Sequence, residues 1–259
     1  MTTEVKKYYN RNCEKEESRL SSNSMEYLMT NELLDRYIKN GDRVLDLGGG
    51  TGIYAIPLCK KQCNVKIVDL AEKELEIASH KAAVEGVGLT CVRGDAKHYN
   101  DGNTYDAIMC LGPLYHCRSE KEIRQIIENC IKLLRPGGIG FFSFISVYAK
   151  FNRFVQNIDR YNNEDIVKIK KFWDDRSNIT SPFVFESRNE LPINFAYPEQ
   201  LYNYLHDFDI MLQDVLSVDI VSSITHCSLS QSLFELMYAL GSSYMINQGE
   251  HIIVSFRKR

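Results

Sequence analysis

The run Asp46-Leu47-Gly48-Gly49-Gly50-Thr51-Gly52 holds the residue types best suited to chemistry in this chain. It follows Gly41-Asp42-Arg43-Val44-Leu45, a loop feeding a buried strand, and precedes Ile53-Tyr54-Ala55-Ile56, the start of a helix. Glycine at a strand-to-helix junction lets the backbone approach a ligand where a Cβ would block it. The next strand, Val65-Lys66-Ile67-Val68-Asp69, ends in an acid. A carboxylate at that place can grip the two hydroxyls of a ribose, because it accepts two hydrogen bonds and its charge strengthens them.

Further along, Leu111-Gly112-Pro113-Leu114-Tyr115-His116 follows an apolar strand. Histidine is the side chain that removes a proton near neutral pH. The plain alternative for His116 is a histidine that merely holds the Gly112-Pro113 loop. The eight cysteines are scattered, mostly inside apolar patterns where a thiol acts as a small hydrophobe. Cys59 and Cys63 have no companion histidine or second cysteine pair, so no metal site is expected.

The elements that must position these residues alternate. Strands are expected at 43–47, 64–69, 89–93, 105–110 and 139–146, with helices at about 53–61, 72–85 and 119–134. Ser119 followed by Glu122 is a capping box, and Arg135-Pro136-Gly137-Gly138 stops the third helix. Helices Glu14–Arg19 and Met25–Ile38 precede the first strand. Beyond Ser146 the regularity breaks, with a helix at about 158–173 and an extended Phe183-Val184-Phe185. A helix at 199–206, a strand at 210–218, a helix at 230–240 and a strand at 251–256 close the chain. The expected fold is α/β: a seven-stranded, mostly parallel sheet with one antiparallel edge strand and helices on both faces. The organisation expected is an N-terminal helical cap at 1–40 and a ligand-binding core at 41–146. A lid or substrate-binding insert then fills 147–196, and 197–259 completes the core sheet.

The chain has 259 residues and a formal net charge of -3. Acids and bases are balanced throughout, which gives no footprint for nucleic acid. No apolar run is long enough for a membrane helix, and the first residues lack the apolar core of a signal peptide. A cytoplasmic location, with no membrane or nucleic-acid partner, is the default expectation.

With the elements placed, the chain resembles the class I S-adenosylmethionine-dependent methyltransferases. The residues that carry this are Asp46–Gly52, Asp69-Leu70-Ala71, Gly94-Asp95-Ala96 and Leu133-Leu134-Arg135-Pro136-Gly137-Gly138, in that order. Gly-x-Gly-x-Gly also differs from the Gly-x-Gly-x-x-Gly of dinucleotide binders. The Gly-Pro-Leu-Tyr-His segment, together with Tyr8-Tyr9 and Glu17-Ser18-Arg19-Leu20, is similar to a bacterial subgroup acting on small molecules.

The resemblance implies S-adenosylmethionine as cofactor, S-adenosylhomocysteine as product and a small-molecule acceptor methylated on oxygen or nitrogen. Gly48, Gly50 and Gly52 are then the close-approach positions. Asp46 orients the loop or, through water, the cofactor ammonium. Asp69 takes the ribose hydroxyls, Leu70 lies against the adenine, and Asp95 with the Ala96 amide reaches its edge. Leu111 and Gly112 turn carbonyls toward the ammonium. Tyr9, Arg19 and Glu26 are cap candidates, with Arg19 either neutralising the cofactor carboxylate or pairing with Glu16 or Glu17. His116 and Tyr115 are the catalytic candidates, His116 as the base, with Tyr115 alternatively lining the donor pocket. Phe144, Tyr148, Phe151, Phe154, Tyr161, Trp173, Phe183 and Phe185 either clamp an acceptor or form the insert's core, and Tyr197, Tyr202 and Tyr204 extend that surface. The competing readings are a non-catalytic S-adenosylmethionine-binding regulatory protein and a protein or RNA methyltransferase. A monomer or homodimer is expected.

Overall fold

The computed structural model describes residues 3–19, 24–148, 159, 162–174, 183–185, 193–196, 198–218 and 251–259. Two helices lead, α1 (Thr3–Arg19) and α2 (Met25–Tyr37), followed by β1 (Arg43–Leu47), α3 (Ala55–Lys60) and β2 (Asn64–Asp69). Next come α4 (Glu72–Val84), β3 (Leu89–Arg93) and β4 (Tyr105–Cys110), then a 3₁₀ turn (Pro113–His116), α5 (Glu120–Leu133) and β5 (Leu134–Ser146). The remainder holds α6 (Asn163–Asp174), β6 (Phe183–Phe185), β7 (Ile193–Ala196), α7 (Pro198–Leu205), β8 (Ile210–Val218) and β9 (His251–Lys258).

Seven strands make the expected sheet, in the order β3-β2-β1-β4-β5-β9-β8. All run parallel except β9, which is antiparallel to both β5 and β8 and lies between them. The insert adds a hairpin: β6 pairs antiparallel with β7, and β7 runs parallel to the far end of β5 through Ile145 and Phe195.

The central strands bury both faces. In β4, Ala107 and Met109 join the core under α2, α3 and α4, while Ile108 and Cys110 join the core under α5 and α7. This two-residue alternation explains why β4 reads as a continuous apolar run. Helix α5 repeats Ile123, Ile126, Ile127, Cys130 and Leu133 onto that second core. Its start is fixed by Ser119 Oγ, which accepts from the Glu122 amide at 3.3 Å. Glu122 reaches back to the Arg118 amide at 2.8 Å, one residue earlier than a standard capping box.

Several boundaries differ from expectation. Helix α1 is one element from Thr3 to Arg19, longer than Glu14–Arg19. Helix α3 begins only at Ala55, because the glycine loop continues as turns through Tyr54. Strand β5 begins at Leu134, which pairs with Tyr105 before the Arg-Pro-Gly-Gly segment breaks the register. The expected helix at 230–240, along with Phe151, Phe154, Tyr161, Tyr197 and Cys227, lies outside the described residues, as do the side chains of Trp173, Phe183, Phe185 and Tyr202.

Cys59, Cys63, Cys110, Cys117 and Cys130 are buried core groups. Burial pushes the Cys59 thiol up to about 11 and the Cys117 thiol up to about 12. Among the described residues no group of three potential metal ligands is present. No described helix is long and apolar enough to cross a membrane.

Candidate functional site

The strand order reverses between β1 and β4, and a parallel sheet opens a crevice at such a point, beyond its carboxyl ends. A cleft of about 850 Å³, its open mouth included, lies there. Its floor is the glycine loop. Gly48, Gly50 and Gly52 all have positive φ (+76°, +52° and +78°), a region that favours glycine. A Cβ on Gly48 would stand 2.5 Å from Pro113 Cγ, so the loop and the turn after β4 touch at that glycine. Gly52 serves packing, with Ile67 and Ala78 at 3.2 and 3.4 Å from where its Cβ would lie. Gly49, not singled out from sequence, has the Asp46 carboxylate 2.5 Å from its missing Cβ.

Replacing Gly48 with alanine should destabilise the fold by about 1–3 kcal/mol, since it combines a left-handed backbone with the Pro113 contact. Urea denaturation checks this, and an unchanged midpoint would mean that the loop and turn are not in contact.

Asp69 closes the loop onto β2. Its Oδ2 accepts from the Gly50 amide at 3.1 Å and its Oδ1 from the Ala71 amide at 2.8 Å. Burial raises its pKa, opposed by the amides of Ala71, Gly50 and Leu70. Asp46 is 3% exposed, and burial, with the nearby Asp69 charge, pushes its carboxyl up to about 8. A carboxyl held protonated at neutral pH is ready to ionise against an arriving cation.

This has a measurable sign. Between about pH 4 and about 8 folded Asp46 retains a proton that unfolded aspartate has lost, so its contribution to stability falls as pH rises. Asp46→Asn should therefore flatten the decline in unfolding free energy over that window. Parallel pH slopes for the two proteins would contradict the assignment.

The far end of the cleft is aromatic. Tyr115 and His116 sit on the 3₁₀ turn, and His116 is 5% exposed. The Tyr9 hydroxyl lies 2.8 Å from His116 Nε2, the donor being set by the histidine tautomer. The Tyr115 ring stands beside both His116 and His251, at centroid distances of 4.8 and 5.8 Å. Its hydroxyl lies 3.8 Å from where a Cβ on Gly112 would be. Glu26 Oε1 is 3.3 Å from His251 Nδ1, behind Tyr115.

Helix α1 crosses the mouth. Val5, Lys6 and Tyr9 line the cleft, and Glu4–Arg118, Lys6–Glu72 and the Lys73 amide to Asn10 Oδ1 strap the helix down. These are surface ion pairs and one hydrogen bond, each a weak tie.

The cleft therefore brings together Tyr9, Asp46, Gly48, Gly50, Asp69, Leu70, Leu111, Tyr115 and His116. It also holds Glu74, Thr51, Ile53 and Tyr54, which the sequence did not single out. Gly52, Asp95, Ala96 and Glu26 are not among the lining residues. Asp95 Oδ1 accepts from the Lys97 amide at 3.0 Å, and the Ala96 carbonyl accepts from Asn129 at 2.9 Å, so both shape the turn after β3. The Arg19 side chain lies outside the described residues.

Residues 44–138 match a family described as a methyltransferase domain. The chain is 33% identical over 112 residues to a ubiquinone biosynthesis O-methyltransferase of Vibrio cholerae, covering 42% of this chain and 44% of that protein. A protein of the same name from Aliivibrio fischeri is 32% identical over 108 residues, covering 41% and 45%. The match thus spans less than half the length of these curated relatives. Among solved structures, the magnesium protoporphyrin IX methyltransferase of Synechocystis, with bound S-adenosylhomocysteine, superposes with a TM-score of 0.63. It is 15% identical, with 99% of both chains covered. The N-methyltransferase NodS of Bradyrhizobium japonicum, in complex with S-adenosyl-L-homocysteine, gives 0.57 at 14% identity, covering 93% of this chain and 90% of that one. The strand order, the glycine loop and these likenesses show that the chain has the class I S-adenosylmethionine-dependent methyltransferase fold, with a methyltransferase-domain match over residues 44–138.

Proposed function

We propose that the protein transfers a methyl group from S-adenosylmethionine to an oxygen or nitrogen of a small molecule. The observation that carries this reading is one continuous cleft, with the glycine loop and Asp69 at one end and the Tyr9–Tyr115–His116 group at the other. The cradle fits the cofactor, since the backbone of Gly48, Gly49 and Gly50 lines the cleft beside Asp69 with no side chain between it and a ligand. Asp69 accepts from the ribose, Leu70 packs on the adenine, and Asp46 meets the positive methionine end. The Leu111 and Gly112 carbonyls turn toward the same end.

A sulfonium donor brings a methyl group that is already activated. The protein's own work is then alignment, exclusion of water and removal of the acceptor's proton. His116 takes that proton at Nε2, and the acceptor must first displace the Tyr9 hydroxyl that now meets this nitrogen. The weak straps on α1 suit such an opening, and α1 closes over the acceptor afterwards, while most of the insert at 147–196 lies outside the described residues. The names of the curated relatives support a small acceptor. Charge balance and the free cysteines among the described residues support a cytoplasmic protein without a nucleic-acid partner.

Calorimetric titration with S-adenosylmethionine, S-adenosylhomocysteine and NAD tests the cofactor assignment. Binding of the first two and not of NAD is expected. Binding of NAD alone would overturn the reading.

A further inference from the structure

Glu74 has no place in the reading given so far. It stands in the first turn of α4, where an acid is ordinarily explained by the positive end of the helix and faces water. Here it is 5% exposed and lines the cofactor end of the cleft. Its Oε2 is 2.6 Å from where a Cβ on Gly50 would lie, so the carboxylate rests against the glycine turn. The same glycine donates its amide to Asp69. Two carboxylates from different elements thus meet at one residue of the loop.

Asp69 alone is heavily used. The amides of Gly50, Ala71 and Leu70 already face its two oxygens, which leaves about one of a carboxylate's four acceptor sites for a ligand. A ribose brings two further O–H donors, and a buried hydroxyl left without an acceptor costs free energy. We propose that Glu74 is a second ribose acceptor, so that the two hydroxyls of the cofactor are divided between Asp69 and Glu74. This rests on the cofactor reading above. It also defines the ligand class more narrowly as a ribonucleoside with both hydroxyls free. A phosphate on either hydroxyl would bring negative charge against two carboxylates, which excludes phosphorylated riboses.

The test is calorimetric titration of wild type, Glu74→Gln and Glu74→Met with three probes: S-adenosylhomocysteine and its 2′-deoxy and 3′-deoxy analogues. Methionine keeps the length of the side chain and removes the acceptor. Glu74→Met should weaken S-adenosylhomocysteine binding about 10–30-fold, with a smaller loss for Glu74→Gln. Wild type should discriminate against both deoxy analogues. The Met variant should lose discrimination against one of them, the analogue lacking the hydroxyl that Glu74 takes. A Met variant within twofold of wild type, or an equal loss for all three probes, would overturn the proposal. Thermal unfolding without ligand separates misfolding from lost recognition, because a destabilised variant that still discriminates both hydroxyls also overturns it. Wild type that binds none of the probes would instead overturn the cofactor reading itself.

Discussion

Asp69→Ala should weaken S-adenosylhomocysteine binding about 10–150-fold, the equivalent of losing a charged hydrogen bond worth about 1.5–3 kcal/mol. Two losses combine. A ribose hydroxyl would lose its acceptor, and the amides of Gly50 and Ala71 lose the carboxylate that now holds them. The second loss loosens the turn whose shape makes the cradle, so the effect should exceed that of removing a solvent-facing acid. Asp69→Asn, which keeps the shape and one acceptor oxygen, should fall between the alanine variant and wild type. A dissociation constant unchanged in the alanine variant would mean that the acid does not face the ligand.

The second large effect concerns turnover. Once an acceptor is known, His116→Ala should lower kcat by about 10²–10⁴-fold while leaving S-adenosylhomocysteine affinity nearly intact. The separation follows from the geometry. His116 lies at the aromatic end of the cleft, against Tyr9 and Tyr115, away from the Asp69 and Gly50 contacts. Turnover within about twofold of wild type at every pH would remove His116 from proton transfer. Alignment would then carry the reaction, as it does for an acceptor that arrives already deprotonated.

The part of the fold around the cleft was legible because its signals are local. The glycine run, the Ser119 cap and the doubly buried strands each state their conformation within a few residues. Asp69 was legible for the same reason, since it stands at the end of a strand whose register with β1 follows from the parallel pattern. What stayed hidden depends on contacts between distant segments. Glu26 and His251 come from α2 and the first residue of β9, and neither has a sequence neighbour that announces the pair. Glu74 looked like one more acid at a helix start, and its burial against Gly50 is set by how α4 packs on the loop. Gly49 was overlooked between two glycines that the backbone needs for φ, because its own constraint comes from the Asp46 side chain. The placing of Asp95 and Ala96 also depends on distant residues, since Asn129 of α5 donates to the Ala96 carbonyl and so holds the turn after β3. Helix α1 has a mostly polar sequence, which gave little sign that Val5 is buried and that Tyr9 reaches His116.

Catalysis on a small molecule is read from its two products. The purified protein is incubated with S-adenosylmethionine and a metabolite library, and the release of S-adenosylhomocysteine is followed with mass detection of the second product. At least one library compound should become heavier by a single methyl group, in step with S-adenosylhomocysteine, and this product should be strongly reduced with the His116→Ala protein. Tight cofactor binding with no methylated compound from the library, and methylation instead of added protein or RNA, would contradict small-molecule catalysis.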